Sequence, residues 1–223
     1  MSSHAIDRSH SALILVDIQY DFLPGGHLAV ADGDAILAPV DALMRSQTFG
    51  LMLATQDWHP PGHLSFASSH PGRAPFEAIT LHGHEQVLWP DHCIAGSPGA
   101  ALQRDLAWDR VEAIFRKGTD PRVDSYSGFR NNWNADGERP STGLDGFLRS
   151  RDVTEVYVVG LARDYCVKWT AEDSADAGFR TFVLWDLTRP VDAAADATVR
   201  AELVDRGVGV LDASMITARW GDA

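Results

Sequence analysis

Cys166 lies in the stretch Val156-Tyr-Val-Val-Gly-Leu-Ala-Arg-Asp-Tyr-Cys166-Val167. The apolar run 156–159 predicts a buried strand, Gly160 interrupts it, and Asp164 has the character of an N-cap for a helix beginning near Cys166. A thiol at a helix N-terminus has a lowered pKa, and open α/β sheets place their sites at the carboxyl ends of strands. One use for such a thiol is as a nucleophile; the other is as a small hydrophobe filling a strand–helix junction. Two further apolar runs end on residues that bear on the choice. The run 12–16 delivers Asp17, and the run 113–115 delivers Lys117 through Arg116. An aspartate near a thiol accepts its proton and returns it to a leaving group. A lysine there favours both anions. Singly, Asp17 reads equally well as a turn cap and Lys117 as a solvated strand-end lysine, so the combination carries the argument. No Gly-x-Ser-x-Gly elbow points to a serine nucleophile.

A second group has metal-ligand chemistry. Asp57 and His59 stand two residues apart after the apolar run 51–54, so in an extended segment both side chains point the same way. The chain returns at Trp89-Pro-Asp-His92-Cys93. One carboxylate and two imidazoles leave coordination positions open, as catalytic sites do, and suit Zn²⁺, Fe²⁺ or Mn²⁺. His63, His70, His82 and His84 compete for the role, and Cys93 is either a soft ligand or a buried structural thiol. Phe22, Trp89 and Tyr126 form a third group, either stacking on a flat ring or packing loops down. An aromatic, charge-poor pocket beside a metal suits a neutral heteroaromatic with a lone pair to offer.

The elements that must position these residues alternate. Strands are expected at 12–16, 51–54, 113–115, 156–159, 181–184 and 208–211, and helices at 34–45, 99–106, 142–149, from Cys166 to 177, and at 193–205. Segments 58–98 and 118–140 read as long loops, the first too rich in Trp, Phe and His for disorder. The pattern predicts an α/β, three-layer architecture: a mainly parallel sheet of about six strands with helices on both faces. Neither a repeat nor a linker divides the 223 residues, so one domain over 1–223 is expected, with a metal and substrate loop over about 57–98.

A net charge of -12 argues against nucleic acid or an anionic membrane as partner. Two cysteines give no disulfide framework, and no run approaches the roughly 20 apolar residues of a membrane span. The first ten residues lack the apolar core of a signal peptide. A cytoplasmic protein with a small-molecule substrate is expected, and a homo-oligomer is compatible with the sequence.

The motifs together resemble the nicotinamidases of the isochorismatase-like cysteine hydrolases, from about Ala12 to Asp212. The resemblance rests on Val16-Asp-Ile-Gln-Tyr-Asp-Phe22, Gly25-Gly-His-Leu-Ala-Val30, Thr55-Gln-Asp-Trp-His-Pro60, Leu64-Ser-Phe66, Trp89-Pro-Asp-His-Cys93, Lys117-Gly118, Tyr126-Ser-Gly-Phe129, Ser141-Thr-Gly-Leu144 and Gly160-Leu-Ala-Arg-Asp-Tyr-Cys-Val167. It implies Asp17, Lys117 and Cys166 as catalytic triad, and Asp57, His59 and His92 as ligands of one divalent metal, zinc before iron or manganese. It implies Phe22, Trp89 and Tyr126 as the pocket for nicotinamide, with pyrazinamide as a second substrate. It also implies a cis peptide at Leu161–Ala162 and an oxyanion hole from the N–H groups of Ala162 and Cys166. Three positions depart from the family pattern: Tyr20 where Asn is frequent, Arg163 where Thr is common, and Arg189-Pro190 in place of Arg-Ala. Arg163 would stand beside the oxyanion hole.

Overall fold

Strand β2 (Ser11–Val16) is apolar at nearly every position because both of its faces are buried. In the computed structural model, which describes residues 4–219, Ala12, Ile14 and Val16 point into one core and Leu13 and Leu15 into another. The first core is closed by Leu144 and Leu148 of helix α2 (Leu144–Arg149), Ala171 of α3 (Lys168–Asp176), and Val199 and Leu203 of α4 (Asp196–Asp205). The second is closed by Val40 and Met44 of α1 (Leu37–Arg45) together with Phe22, Trp89, Ala100 and Leu106 from loops. This is the expected three-layer α/β sandwich.

The central sheet has six strands in the order β6-β3-β2-β7-β8-β9, all paired in parallel. Here β3 is Leu51–Asp57, β6 Ala113–Lys117, β7 Glu155–Leu161, β8 Arg180–Arg189 and β9 Gly209–Leu211. From β2 the chain moves outward to β3 and then β6; from β7 it moves the other way to β8 and β9. The order therefore reverses between β2 and β7, and a crevice opens at their carboxyl ends, where such sheets bind ligands. The two strands cross closely there. A Cβ on Gly160 would stand 2.1 Å from the Val16 carbonyl oxygen, and its φ of +114° also calls for glycine.

Several elements differ from the sequence expectation. Segment 99–106 is not helical: Gly99 and Ala101 accept from the amides of Asp21 and Tyr20, and the Gln103 amide donates to Ile18, so the segment braces the loop after β2. The loop 58–98 contains a hairpin, β4 (Ala78–Leu81) with β5 (His84–Val87). β1 (His4–Asp7) pairs in parallel with β10 (Ile216–Arg219). The helix after β7 opens with one wide π turn, Arg163–Val167, whose N-cap is Ala162; Asp164 lies inside it. Asp164 does not cap because its carboxylate accepts from the Val191 and Asp192 amides instead. Among the described residues no helix is long and apolar enough to cross a membrane.

Ile14 is fully buried at the centre of the sheet. Ile14→Ala is expected to cost about 2–5 kcal/mol through lost burial and the cavity left behind. Chemical denaturation should show a lowered midpoint with an unchanged slope.

Candidate active site and metal centre

The residues that end the strands meet at this crevice. Asp17 follows β2 with φ 47° and no exposure, its Oδ1 accepting from the Thr55 hydroxyl at 2.7 Å. Lys117 ends β6 and is 1 % exposed. Its Nζ lies 2.9 Å from Asp17 Oδ2, donates to Asp57 Oδ1 and to the Ser125 carbonyl at 2.9 Å each, and reaches Cys166 Sγ at 3.4 Å. Asp17, Asp57 and Cys166 present polar atoms that all lie within 4.8 Å of one another. The three residues expected at the strand ends are thus in mutual reach, and Cys166 also packs into the core with Val167 and Ala171.

Electrostatics set their resting state. Burial is the main influence on Cys166 and holds its thiol well above the ordinary range, against the pull of Lys117 and aided by Asp17 and Asp57. The helix-end effect, expected to lower it, does not dominate. Burial also raises Asp17, which makes it a stronger base than a free aspartate. Burial opposes the charge of Asp57, but His59 and Lys117 outweigh it and keep that carboxyl well below the usual range. Desolvation works against the Lys117 ammonium too, yet Asp17 and Asp57 raise its pKa well above normal.

The metal-like group converges on the other side of Asp57. His59 Nδ1 faces the Gly118 carbonyl at 3.2 Å and His92 Nδ1 faces the Pro90 carbonyl at 2.8 Å. A ring whose Nδ1–H donates to a carbonyl presents a bare Nε2, the arrangement typical of metal-bound histidines. The two Nε2 atoms lie 3.3 and 3.5 Å from Asp57 Oδ2. Three buried lone-pair donors facing one point fit a divalent cation, which would stand about 2.0–2.2 Å from each. Gly118 makes room for this: a Cβ there would be 2.4 Å from His59 Cε1. Of the competing histidines, only His63 approaches, with its ring 4.4 Å from that of His59 and its Nε2 unpartnered. His70 is bonded to the Leu64 carbonyl, His82 to the Arg122 carbonyl, and His84 stacks on Trp133. Cys93 joins no potential metal cluster among the described residues; Gln19 Nε2 donates to its buried sulfur at 3.4 Å.

Between thiol and metal centre lies a narrow slot of about 20 Å³. Phe22, Trp89 and Tyr126 line it with Asp57, His92, Ala162 and Cys166. Leu28, Asp124, Tyr165 and Val191 line it too and were not singled out from the sequence. Tyr165 is crossed edge-on by Trp89 at 4.7 Å. The slot shares Asp124, Tyr126 and Tyr165 with an outer cavity of about 380 Å³.

Two supporting residues also escaped the sequence reading. Gln19 accepts from the Asp57 amide at 2.7 Å and donates to the Asp57 and Ala100 carbonyls, fixing the backbone of the first ligand. Asp21 accepts from the Cys93 amide at 2.7 Å and from His27, tying the loop that carries Phe22 to the one that carries His92. Both belong to the motif Val16–Phe22, which was the available signal. The Leu161–Ala162 peptide is cis. Tyr20 points its hydroxyl at the Arg104 amide, away from the slot.

A buried thiol, carboxylate and ammonium thus meet where the sheet order of an α/β fold reverses. Residues 11–215 match the model of the Isochorismatase domain, and the chain belongs to that family. It is 44% identical over 184 residues to a nicotinamidase of Acinetobacter baylyi, covering 82% of this chain and 83% of the relative. A solved nicotinamidase and pyrazinamidase of Acinetobacter baumanii superposes with a TM-score of 0.88 at 41% identity, over 94% of this chain and 99% of the other. The pyrazinamidase of Pyrococcus horikoshii in complex with zinc gives 0.73 at 34% identity, over 91% and 99%.

Removing the ammonium should expose how much depends on it. Lys117→Met leaves two buried carboxylates uncompensated, and breaking such a set typically costs about 3–5 kcal/mol. The variant is expected to lose that much stability by thermal or chemical denaturation, and its activity with it.

Proposed function

We propose that the protein hydrolyses nicotinamide to nicotinate and ammonia through a thioester on Cys166, a reaction of pyridine-nucleotide salvage. The observation that carries this reading is the juxtaposition of Cys166 and Asp17 with the three-ligand cluster Asp57, His59 and His92 across one aromatic slot. Similarity to nicotinamidases over most of the chain supports the choice of amide. Pyrazinamide, with a ring nitrogen in the same relation to its carboxamide, is the second expected substrate.

Asp57, His59 and His92 would hold one divalent metal, zinc in first place given the zinc-bound relative. When bound there, it supplies a Lewis acid for the lone pair of the ring nitrogen. Phe22, Trp89 and Tyr126 hold the ring flat and exclude water, so the carboxamide carbon faces Cys166 Sγ. The thiol proton passes to Asp17 as sulfur bonds to that carbon. The N–H groups of Ala162 and Cys166 stabilise the oxyanion, a donor of this kind being worth about 10²–10³ in rate. Asp17 then protonates the departing nitrogen, the C–N bond breaks, and ammonia leaves a thioester behind. Asp17 next takes a proton from water, whose oxygen attacks the thioester, and the thiol re-forms with nicotinate released. Lys117, within reach of both, favours the anion on whichever of Asp17 and Cys166 carries it. We place this chemistry in the cytoplasm, in keeping with two free buried thiols.

Cys166→Ala should abolish ammonia release while retaining metal, whereas Asp57→Ala and His92→Ala should lose metal and weaken nicotinamide binding. Ammonia assays with elemental analysis test both; near-full activity of Cys166→Ala removes the nucleophile assignment, and full metal content in the other two removes the ligand assignment.

The raised Asp17 predicts a pH effect. The base is active when deprotonated, so kcat/KM should be retained above its pKa and fall as pH drops through it. The midpoint of that acid limb should lie above the usual aspartate value near 3.9. A pH profile whose limb falls at or below that value counts against Asp17 as the base.

A further inference from the structure

The slot has one wall that comes from beyond β8, and that wall hangs from the turn that carries Cys166. Val191 lines the slot together with Ala162, Tyr165 and Cys166. Its amide donates to Asp164 Oδ1 at 2.8 Å, and the next amide, of Asp192, donates to Asp164 Oδ2 at 2.8 Å. The residue before Asp164 grips the same stretch of chain. Arg163, only 5 % exposed, donates through Nε to the Thr188 hydroxyl at 2.8 Å and through Nη2 to the carbonyls of Thr188 and Trp185. Its Nη1 donates to Asp196 at 2.6 Å at the start of α4, and its guanidinium lies 4.0 Å over the Trp185 ring. The charge of Arg163 is therefore turned away from the oxyanion position and spent on the far side of the turn. Two consecutive side chains of the π turn thus fasten the segment 185–196 on both sides of Val191.

We propose that Arg163 and Asp164 are positioning residues that set the place of Val191 against the ring slot, and so the size of the ring the enzyme accepts. The inference rests on the nicotinamide reading above. Asp164 bears the nearer part of the load, because its two oxygens take the two amides that flank the Val191 carbonyl. Arg163 fixes the base of the loop, where a threonine side chain could not span the same four acceptors. A wall held this firmly excludes a ring substituent that a displaced wall would admit. Discrimination of one added methyl group by an apolar pocket is typically about 10–200-fold.

The test is a double-mutant cycle read as selectivity. Wild type, Asp164→Asn, Val191→Ala and the double variant are compared by kcat/KM for nicotinamide and for a set of ring-methylated nicotinamides, with thermal midpoints measured alongside. Asp164→Asn places an amide donor against a backbone donor and so releases one of the two bonds. Each single variant is expected to raise the relative kcat/KM of at least one methylated ring about tenfold. The double variant is expected to raise it no further than the larger single effect, since both act through one wall. A purely structural role would lower the midpoint and overall activity while leaving the ratio at its wild-type value. An unchanged ratio in either single variant, or multiplicative effects in the double, overturns the proposal. Should Asp164→Asn fail to fold, Arg163→Lys takes its place in the same cycle, because it keeps a charge for Asp196 but loses the fork to Thr188 and Trp185. Wild type inactive on nicotinamide would sink the functional reading itself, whereas an active wild type with unchanged ratios in the variants sinks only the positioning of Val191.

Discussion

A single buried ammonium holds the site together. Lys117 stands between two carboxylates, a thiol and a backbone carbonyl, and none of these has water to fall back on. Burying any one of the ions alone would be prohibitive. Together they are mutually compensated, and the compensation fixes geometry: the end of β6 brings one ammonium to both Asp17 and Asp57. The same contact joins the two halves of the chemistry, because Asp57 gives one oxygen to Lys117 and turns the other to His59 and His92. The proposed triad and the metal-ligand cluster are therefore one electrostatic unit, not two neighbouring sites.

The loops obey that unit through backbone bonds made by side chains. Gln19 acts as a substitute peptide group for Asp57, both accepting from its amide and donating to its carbonyl. Asp21 gathers Cys93 and His27 at a buried carboxylate and so sets the distance between Phe22 and His92, whose rings lie 5.5 Å apart. These residues bring no reactivity of their own. They replace secondary structure over the long segment between β3 and β6, where ordered loops must otherwise leave buried polar groups unmet.

What could be read from the chain follows from which forces are local. Asp17 and Lys117 were legible because each stands at the end of an apolar strand, and Cys166 because it follows one across a short turn; the end of a buried parallel strand is visible without knowing its neighbours. Asp57 and His59 were legible from their two-residue spacing after another run. The hairpin of β4 and β5 was not, since its short strands alternate only weakly and lie largely at the surface. Segment 99–106 has helix-forming composition, but the amides of Tyr20 and Asp21 claim its carbonyls. Asp164 has the residue type of a cap, and its true partners, 27 and 28 residues away, leave no local mark. Val191 was invisible for the same reason, and Leu28 lay in a quoted motif without a role: an apolar residue in a loop acquires its meaning only from the wall it joins.

Burial leaves Cys166 6 % exposed and holds its thiol well above the ordinary range, which has a consequence for the cell's oxidants. Peroxides and alkylating agents react with thiolates, and their rate follows thiolate fraction and access. Enzymes that keep a standing thiolate are open to sulfenic acid formation at all times. Here burial keeps the thiolate fraction low and the sulfur poorly accessible. The burial that raises the thiol is thus also what limits its oxidation.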